Sequence, residues 1–231
     1  MTTTDTQQHA ASYLEQGRRD DQQDAVLVGD GVYAVADGLG GAPGPVGEEV
    51  VAHLLELDDG DPVRALDAAV ARAATHVAER YAEHPDVGTT LTALVVRDGQ
   101  VAVAHVGDSR AYRVRDGRLE RLTRDHSVVQ TLVDEGRLTP EEARTDDRRV
   151  VLNRAIGVGA SSAPDLALLA VEPGDRLVLT TDGVHAVLEP GLLTGLLVAP
   201  RSPQEVVDAV RGVVRDAGEP DNHAVVVVDL G

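Results

Sequence analysis

Apolar residues alternate with polar ones, or form short valine-rich runs, along much of the chain, and tight-turn residues separate these runs. Asp-Gly pairs lie at 30–31, 98–99 and 116–117. Both residue types tolerate the positive φ that a two-residue hairpin turn requires. The pattern therefore predicts three antiparallel hairpins, DAVLVGDGVYAVAD (24–37), TLTALVVRDGQVAVAHVGD (90–108) and RAYRVRDGRLERLT (110–123).

Two further strand segments follow. DLALLAVEPGDRLVLTTDG (165–183) is predicted to turn back at its Pro-Gly-Asp, and HAVVVVDL (223–230) is predicted to be the last strand. The runs at 101–106 and 225–228 are apolar at almost every position, which is typical of strands that are buried on both faces.

Helical periodicity occupies the stretches between the strand groups. In the longest stretch, residues 65, 69, 73, 77 and 81 repeat at the spacing of one helical face, with small or apolar side chains. The predicted helices are Pro45–Leu57, Pro62–Ala82, Ser127–Arg137 and Pro203–Ala217. Hairpins grouped together, with helices between the groups, indicate an α+β fold of two stacked antiparallel β-sheets, a β-sandwich flanked by α-helices. We expect a single domain over residues 1–231.

Composition narrows the classes of function. The chain has no Lys, Phe, Trp or Cys, and its net charge is −18. Such a charge repels phosphate backbones and anionic lipid, so neither nucleic acid nor a membrane surface is an expected partner. The absence of Cys excludes disulfides, thiolate nucleophiles and Cys-ligated zinc. With no membrane-length apolar run and no leader-like N-terminus, we expect a soluble cytoplasmic protein.

Acidic residues recur where predicted strands begin or end. These residues are Asp37, Asp108, Asp182 and Asp221. Any one of them is most simply a turn residue. If the fold brings them together, however, a cation must lie between them, and oxygen ligands without Cys favour a hard ion such as Mg²⁺ or Mn²⁺. The glycine at position 38 then fits a backbone ligand, because a residue without Cβ lets its carbonyl approach an ion closely.

Eight short motifs occur in an order that resembles the type 2C protein phosphatase family, the metal-dependent serine/threonine phosphatases, and most of all its compact bacterial members. The motifs are RRDDQQD (18–24), VADGLGG (35–41), GTT (88–90), HVGDSRAYR (105–113), LTRDHS (122–127), VLNRAIG (151–157), LTTDGV (179–184) and DN (221–222). Each motif alone is weak, but together they span about residue 10 to the C-terminus. The fold of that family, a β-sandwich flanked by helices, agrees with the pattern above.

The resemblance implies a role for each matching residue. Asp37 matches the carboxylate that bridges two metal ions, and Gly38 the residue that offers its carbonyl to the second ion. Asp182 and Asp221 match the acids that complete the first ion's shell, and Asp108 matches an acid that holds a third ion together with Asp182. Asp24 matches an acid near the second ion, and Arg19 the arginine that grips the substrate phosphate. The expected catalytic residues are therefore Arg19, Asp37 and Asp182.

The resemblance also implies an activity. It implies hydrolysis of phosphoserine and phosphothreonine in proteins, in which two Mg²⁺ or Mn²⁺ ions activate the attacking water, with a possible third ion. It further implies phosphoprotein substrates, an opposing serine/threonine kinase system and a monomer. Two alternatives stay open: a catalytically silent module that binds phosphoproteins, and a phosphatase that acts on a small phosphorylated molecule.

The chain departs from the family pattern at three places. Gln22 stands where Asn is common, Leu39 stands where some relatives place a candidate general acid His, and RTDDRRVV (144–151) replaces the His-Pro of the bacterial flap. We expect the flap at about residues 126–152. Within it, His126 is predicted to be structural rather than a substrate contact. Ser109 is not expected to be a nucleophile, because no Gly-x-Ser-x-Gly elbow surrounds it.

Overall fold

Valine-rich strands and two long amphipathic helices account for the layers of the fold. The computed structural model describes residues 8–41, 44–157 and 162–231. The predicted domain of residues 1–231 also covers residues 1–7, 42–43 and 158–161, which lie outside the described residues.

In the described ranges, the strands are β1 (Gln8–Glu15), β2 (Ala25–Gly29), β3 (Val32–Ala36), β4 (Gly38–Leu39), β5 (Gly88–Thr89), β6 (Leu91–Arg97), β7 (Gln100–Val106), β8 (Arg110–Arg115), β9 (Arg118–Arg121), β10 (Ile156–Gly157), β11 (Asp165–Ala170), β12 (Arg176–Thr180) and β13 (His223–Leu230). The α-helices there are α1 (Val46–Ala52), α2 (Pro62–Arg80), α3 (Val128–Asp134), α4 (Pro140–Thr145), α5 (Asp182–His185), α6 (Pro190–Leu197) and α7 (Pro203–Asp216). Short 3₁₀ helices cover His53–Glu56 and Asp147–Val150.

The strands form two antiparallel sheets that stack face to face. Their orders are β1-β13-β12-β8-β9 and β11-β7-β6-β3-β2, and a small third sheet has the order β10-β5-β4. One apolar cluster lies between the two large sheets and includes Leu94 and Leu177. A second cluster lies under α1 and α2, and a third under α6 and α7. The predicted α+β sandwich with flanking helices is confirmed.

Turn chemistry fixes the hairpins as predicted. Asp30, Asp98 and Asp116 have φ of 52°, 51° and 52°, and the glycine after each also has a positive φ. The strand pairs β2/β3, β6/β7 and β8/β9 pair directly across these turns. The hairpin predicted over 165–183 is wrong. β11 pairs with β7 in one sheet, whereas β12 pairs with β8 and β13 in the other, so this turn connects the two layers.

The long helices begin at capping residues that the sequence supplies. The Asp61 side chain accepts hydrogen bonds from the backbone N–H groups of Val63 and Arg64 at the start of α2. Ser202 and Glu205 form a capping box at the start of α7. The small and apolar face predicted for α2 is buried. The helix predicted over 45–57 is shorter, because the chain tightens into a 3₁₀ turn after α1.

Candidate functional site

Asp37 lies where β3 ends, and two threonines hold its backbone. Its N–H donates to Thr90 Oγ1 at 3.0 Å, and its carbonyl accepts from Thr90 N at 2.9 Å and from Thr89 Oγ1 at 3.0 Å. The next residue, Gly38, packs so closely on the preceding loop that a Cβ there would lie 2.8 Å from the Cβ and from the carbonyl oxygen of Gln23. A side chain at position 38 therefore does not fit.

Asp182 and Asp221 meet because β12 and β13 are neighbours in one sheet. Asp182 begins α5 directly after β12, and Asp221 precedes β13. Between them, a Cβ on Gly183 would lie only 2.0 Å from the carbonyl oxygen of Asn222. Gly183 thus permits the close approach of the two segments that carry these carboxylates.

Asn222 ties the loop of residues 16–23 to the same place. Its Oδ1 accepts from Gln23 N at 2.8 Å, and its Nδ2 donates to the carbonyls of Gln16 and Asp21 at 2.7 and 3.0 Å. This loop carries Arg19, whose Nη2 donates to Asp221 Oδ2 at 2.6 Å. The neighbouring Arg18 side chain extends toward Gly218 instead.

Asp24 is buried behind the other carboxylates. Its Oδ2 accepts a hydrogen bond from Thr181 Oγ1 at 2.8 Å, and Thr181 precedes Asp182. Its N–H donates to Gln22 Oε1 at 2.9 Å, so the residue that departs from the family pattern still caps the turn. Asp108, half-buried, lies in the turn between β7 and β8.

The charges of these carboxylates act on one another. Burial raises the pKa of Asp37 well above its usual range, and the neighbouring Asp182, Asp24 and Asp108 raise it further. Burial and Asp182 likewise raise the pKa of Asp108. For Asp24, burial is again the main cause of a raised pKa, which the hydrogen bond from Thr181 partly offsets.

Asp182 shares this crowding. Burial raises its pKa, nearby Asp221 adds to the rise, and Asp37 and Arg19 oppose it. Asp182 raises the pKa of Asp37, whereas Asp37 lowers that of Asp182, so each of the two carboxyls affects the protonation of the other. The cluster therefore holds more negative charge than its surroundings can neutralise.

The cluster has the donor chemistry for a hard divalent cation. In the part of the chain that the structure describes, no group of three or more His, Asp or Glu side chains has the spacing of a finished ion cage. Instead, Arg19 forms an ion pair with Asp221, and the charge of the nearby Asp182 raises the pKa of Asp37. Half-buried carboxylates that repel one another, beside a glycine position closed to any Cβ, fit Mg²⁺ or Mn²⁺, because such an ion supplies the missing positive charge.

Of the seven residues that the sequence singles out, the acids lie near enough for their charges to act on one another, Arg19 contacts Asp221, and Gly38 follows Asp37 in the chain. Arg19 also responds to the cluster, since its contact with Asp221 raises its pKa, and Asp182 and Asp37 contribute at longer range. Four supporting residues were missed as site residues: Thr89, Thr90, Thr181 and Asn222. Their motifs, GTT, LTTDGV and DN, were visible, but the hydrogen bonds they make join residues far apart in sequence.

None of the helices in the described ranges is long and apolar enough to cross a bilayer.

Comparison with known proteins gives one consistent result. The model of the family "Protein phosphatase 2C" matches residues 6–231. A Mycobacterium tuberculosis protein named serine/threonine protein phosphatase PstP is 38% identical over 221 residues, which cover 92% of this chain and 43% of that protein. A Listeria welshimeri protein named serine/threonine phosphatase stp is 31% identical over 211 residues, covering 86% of this chain and 84% of the relative.

A solved structure is also similar to this chain. The catalytic domain of a serine/threonine protein phosphatase PstP, in complex with 2 manganese ions, superposes with a TM-score of 0.88 at 35% identity, covering 96% of this chain and 98% of that chain. This chain spans less than half the length of the full mycobacterial relative.

Proposed function

Because the chain belongs to the protein phosphatase 2C family, we propose that it hydrolyses phosphoserine and phosphothreonine in proteins with the help of bound Mg²⁺ or Mn²⁺. The observation that carries this proposal is the convergence of Asp37, Asp108, Asp182 and Asp221 from four separate strand ends, with Arg19 beside them. A silent binding module has no need of so many mutually repelling carboxylates. The relatives named serine/threonine phosphatases support the same activity.

In this proposal, Asp37, Gly38, Asp182 and Asp221 hold two core ions, Asp108 holds a third with Asp182, and Asp24 acts near the second. The bound ions supply a nucleophilic water at neutral pH and neutralise charge on the phosphate oxygens. The manganese reported for the PstP catalytic domain supports this cofactor.

Arg19 binds the substrate phosphate. Its guanidinium offers parallel N–H groups, never loses its charge and lies exposed at the rim of the carboxylate cluster. Its contact with Asp221 orients it toward the cluster. A planar fork of this kind binds two phosphate oxygens and holds the phosphorus in line for attack from the opposite side.

We infer a single catalytic domain, a monomer that works in the cytoplasm against a serine/threonine kinase system.

The test is Mn²⁺-dependent release of phosphate from a phosphothreonine peptide. Asp37→Asn keeps the shape of the side chain but removes one charge, so we expect turnover to fall on the order of 1,000-fold or more, with the fold intact. Asp67→Asn, on the exposed face of α2, is the matched control and should behave as wild type. Near-normal turnover by Asp37→Asn would reject the mechanism. A kcat/KM for p-nitrophenyl phosphate above that for the peptide would point to small-molecule substrates instead.

A further inference from the structure

The turn that carries Asp108 is fixed on one side by two threonines. Gly107 has a φ of 104°, and a Cβ there would lie 2.5 Å from Thr90 Cγ2, so its backbone packs directly on that side chain. On the other side of Asp108, Ser109 Oγ lies 2.7 Å from Thr90 Oγ1, and Ser109 O accepts from Thr92 Oγ1 at 3.0 Å. Gly107 and Ser109, which flank Asp108, are therefore both held against residues 90–92, where β6 begins.

His126 holds the opposite side of the same turn. Its backbone N–H donates to the carbonyl of Gly107 at 2.7 Å, and Gly107 N–H donates to its Nδ1 at 3.1 Å. One buried residue thus satisfies both the N–H and the carbonyl of the glycine that precedes Asp108.

The hydrogen bond from Gly107 also fixes the tautomer of the ring. Because Nδ1 accepts, the proton of the neutral imidazole is on Nε2, which lies 3.1 Å from Asp165 Oδ2 and donates to it. His105 packs on the same ring with a centroid distance of 4.7 Å.

His126 lies at the base of the flap segment, residues 126–152. Its carbonyl accepts from Asn153 N at 2.8 Å, and the neighbouring Ser127 forms a β-bridge with Leu152. Arg154 Nη1 donates to Asp165 Oδ1 at 2.6 Å, the carboxylate that also receives His126 Nε2–H. The two ends of the segment therefore meet at His126.

We propose that His126 is a positioning residue that fixes Asp108 through Gly107 and connects it to the base of the flap segment. The inference rests on the proposed function, since Asp108 matters there as the ligand of a third ion. His126 itself touches neither the substrate phosphate nor an ion. Its acceptor Nδ1 holds the backbone from which the Asp108 carboxylate projects.

Two substitutions separate the contacts of the ring. In His126→Asn, the side-chain Oδ1 replaces Nδ1 and can still accept from Gly107, but nothing reaches Asp165. In His126→Gln, the amide reaches toward Asp165 and leaves Gly107 N–H without its acceptor. His76→Gln, on α2, is the control for a histidine replaced elsewhere.

The experiment combines phosphothreonine-peptide kinetics with calorimetric Mn²⁺ titration of the intact chain. We expect His126→Gln to lower kcat roughly 10- to 100-fold and to lose the weaker ion while two tight ions stay bound. His126→Asn should recover most of the turnover. In the Asp108→Ala background, His126→Gln should cause no further loss, because the two residues act as one unit.

Three outcomes would overturn the inference. The first is a fold-loss of kcat in the double variant equal to the product of the two single fold-losses. The second is an equal loss of kcat in His126→Asn and His126→Gln. The third needs no variant: ¹⁵N shifts of histidine-labelled wild type that place the proton on Nδ1. If wild type released no phosphate, the proposed function would fail, and the Mn²⁺ titration and the ¹⁵N shifts would still decide the role of His126.

Discussion

Thr90 is the residue where a small change gives the sharpest test of the site's construction. It is fully buried, its Oγ1 accepts the N–H of Asp37 at 3.0 Å, and the same oxygen lies 2.7 Å from Ser109 Oγ. Thr90→Val keeps the shape of the side chain and removes both hydrogen bonds. The N–H of Asp37 and the hydroxyl of Ser109 are then buried without partners.

The expected loss follows from those two groups. Each buried polar group left without a partner costs about 1–3 kcal/mol, so Thr90→Val should lower the free energy of unfolding by roughly 2–6 kcal/mol. For a chain of this size, each kcal/mol lowers the melting temperature by about 2–4 °C. Thr90→Ser keeps the hydroxyl and loses only a methyl group, so it should lose about 1 kcal/mol.

Urea unfolding followed by circular dichroism measures these differences, since the chain has no Trp for fluorescence. EDTA keeps ion binding out of the comparison. Adding Ser109→Ala to Thr90→Val should cost less than the sum of the single changes by about 1 kcal/mol, because one unpaired group is removed. Equal losses from Thr90→Val and Thr90→Ser would refute the assignment of the loss to the hydroxyl, and so would strictly additive losses in the double variant.

Three further predictions concern single residues. Arg19→Ala removes one charge-assisted phosphate contact, so kcat/KM should fall roughly 10- to 100-fold and inhibition by free phosphate should weaken. Arg18→Ala is the control, and unchanged phosphate inhibition in Arg19→Ala would contradict the assignment of Arg19. Asp108→Ala should keep two tight Mn²⁺ ions in a calorimetric titration and lose on the order of 10- to 100-fold in turnover, whereas an unchanged kcat with a lowered melting temperature would make Asp108 only a turn residue. Burial, then His126, lowers the pKa of His105 to about 4, so the unfolded chain takes up this proton at higher pH than the folded chain does. Stability is therefore lost as pH falls below about 6.5. Between pH 7 and pH 5 the free energy of unfolding of wild type, measured in urea titrations, should fall by about 2 kcal/mol more than that of His105→Gln. Parallel pH profiles of the two proteins would contradict this.

Local turn and capping chemistry made much of the fold predictable. The Asp-Gly pairs at 30–31, 98–99 and 116–117 define their hairpins because the required positive φ is a property of the two turn residues themselves. Asp61 and Ser202 define the starts of α2 and α7 in the same way, since each cap reaches only two or three residues along the chain.

The sheet to which a strand belongs depends on residues far away in the sequence, and the prediction was wrong there. The strands on either side of Pro173-Gly174-Asp175 have the pattern of a hairpin, yet β11 and β12 belong to different sheets. Their true neighbours are strands from earlier and later parts of the chain. The first strand, β1, was also missed, because QHAASYLE contains few β-branched or strongly apolar residues and is fixed by its pairing with β13.

The sequence by itself determined the chemistry of the site. It showed which carboxylates lie at strand ends, that a metal ion there would have oxygen ligands and no Cys, and that the order of the motifs matches one family. Only the tertiary structure decided how these groups are held. Asn222 joins β13 to the loop that carries Arg19, some 200 residues earlier, and Thr90 and His126 clamp the turns of Asp37 and Asp108. These contacts depend on which strands are neighbours in a sheet. That order is set by burial across the whole core, and no short stretch of sequence encodes it.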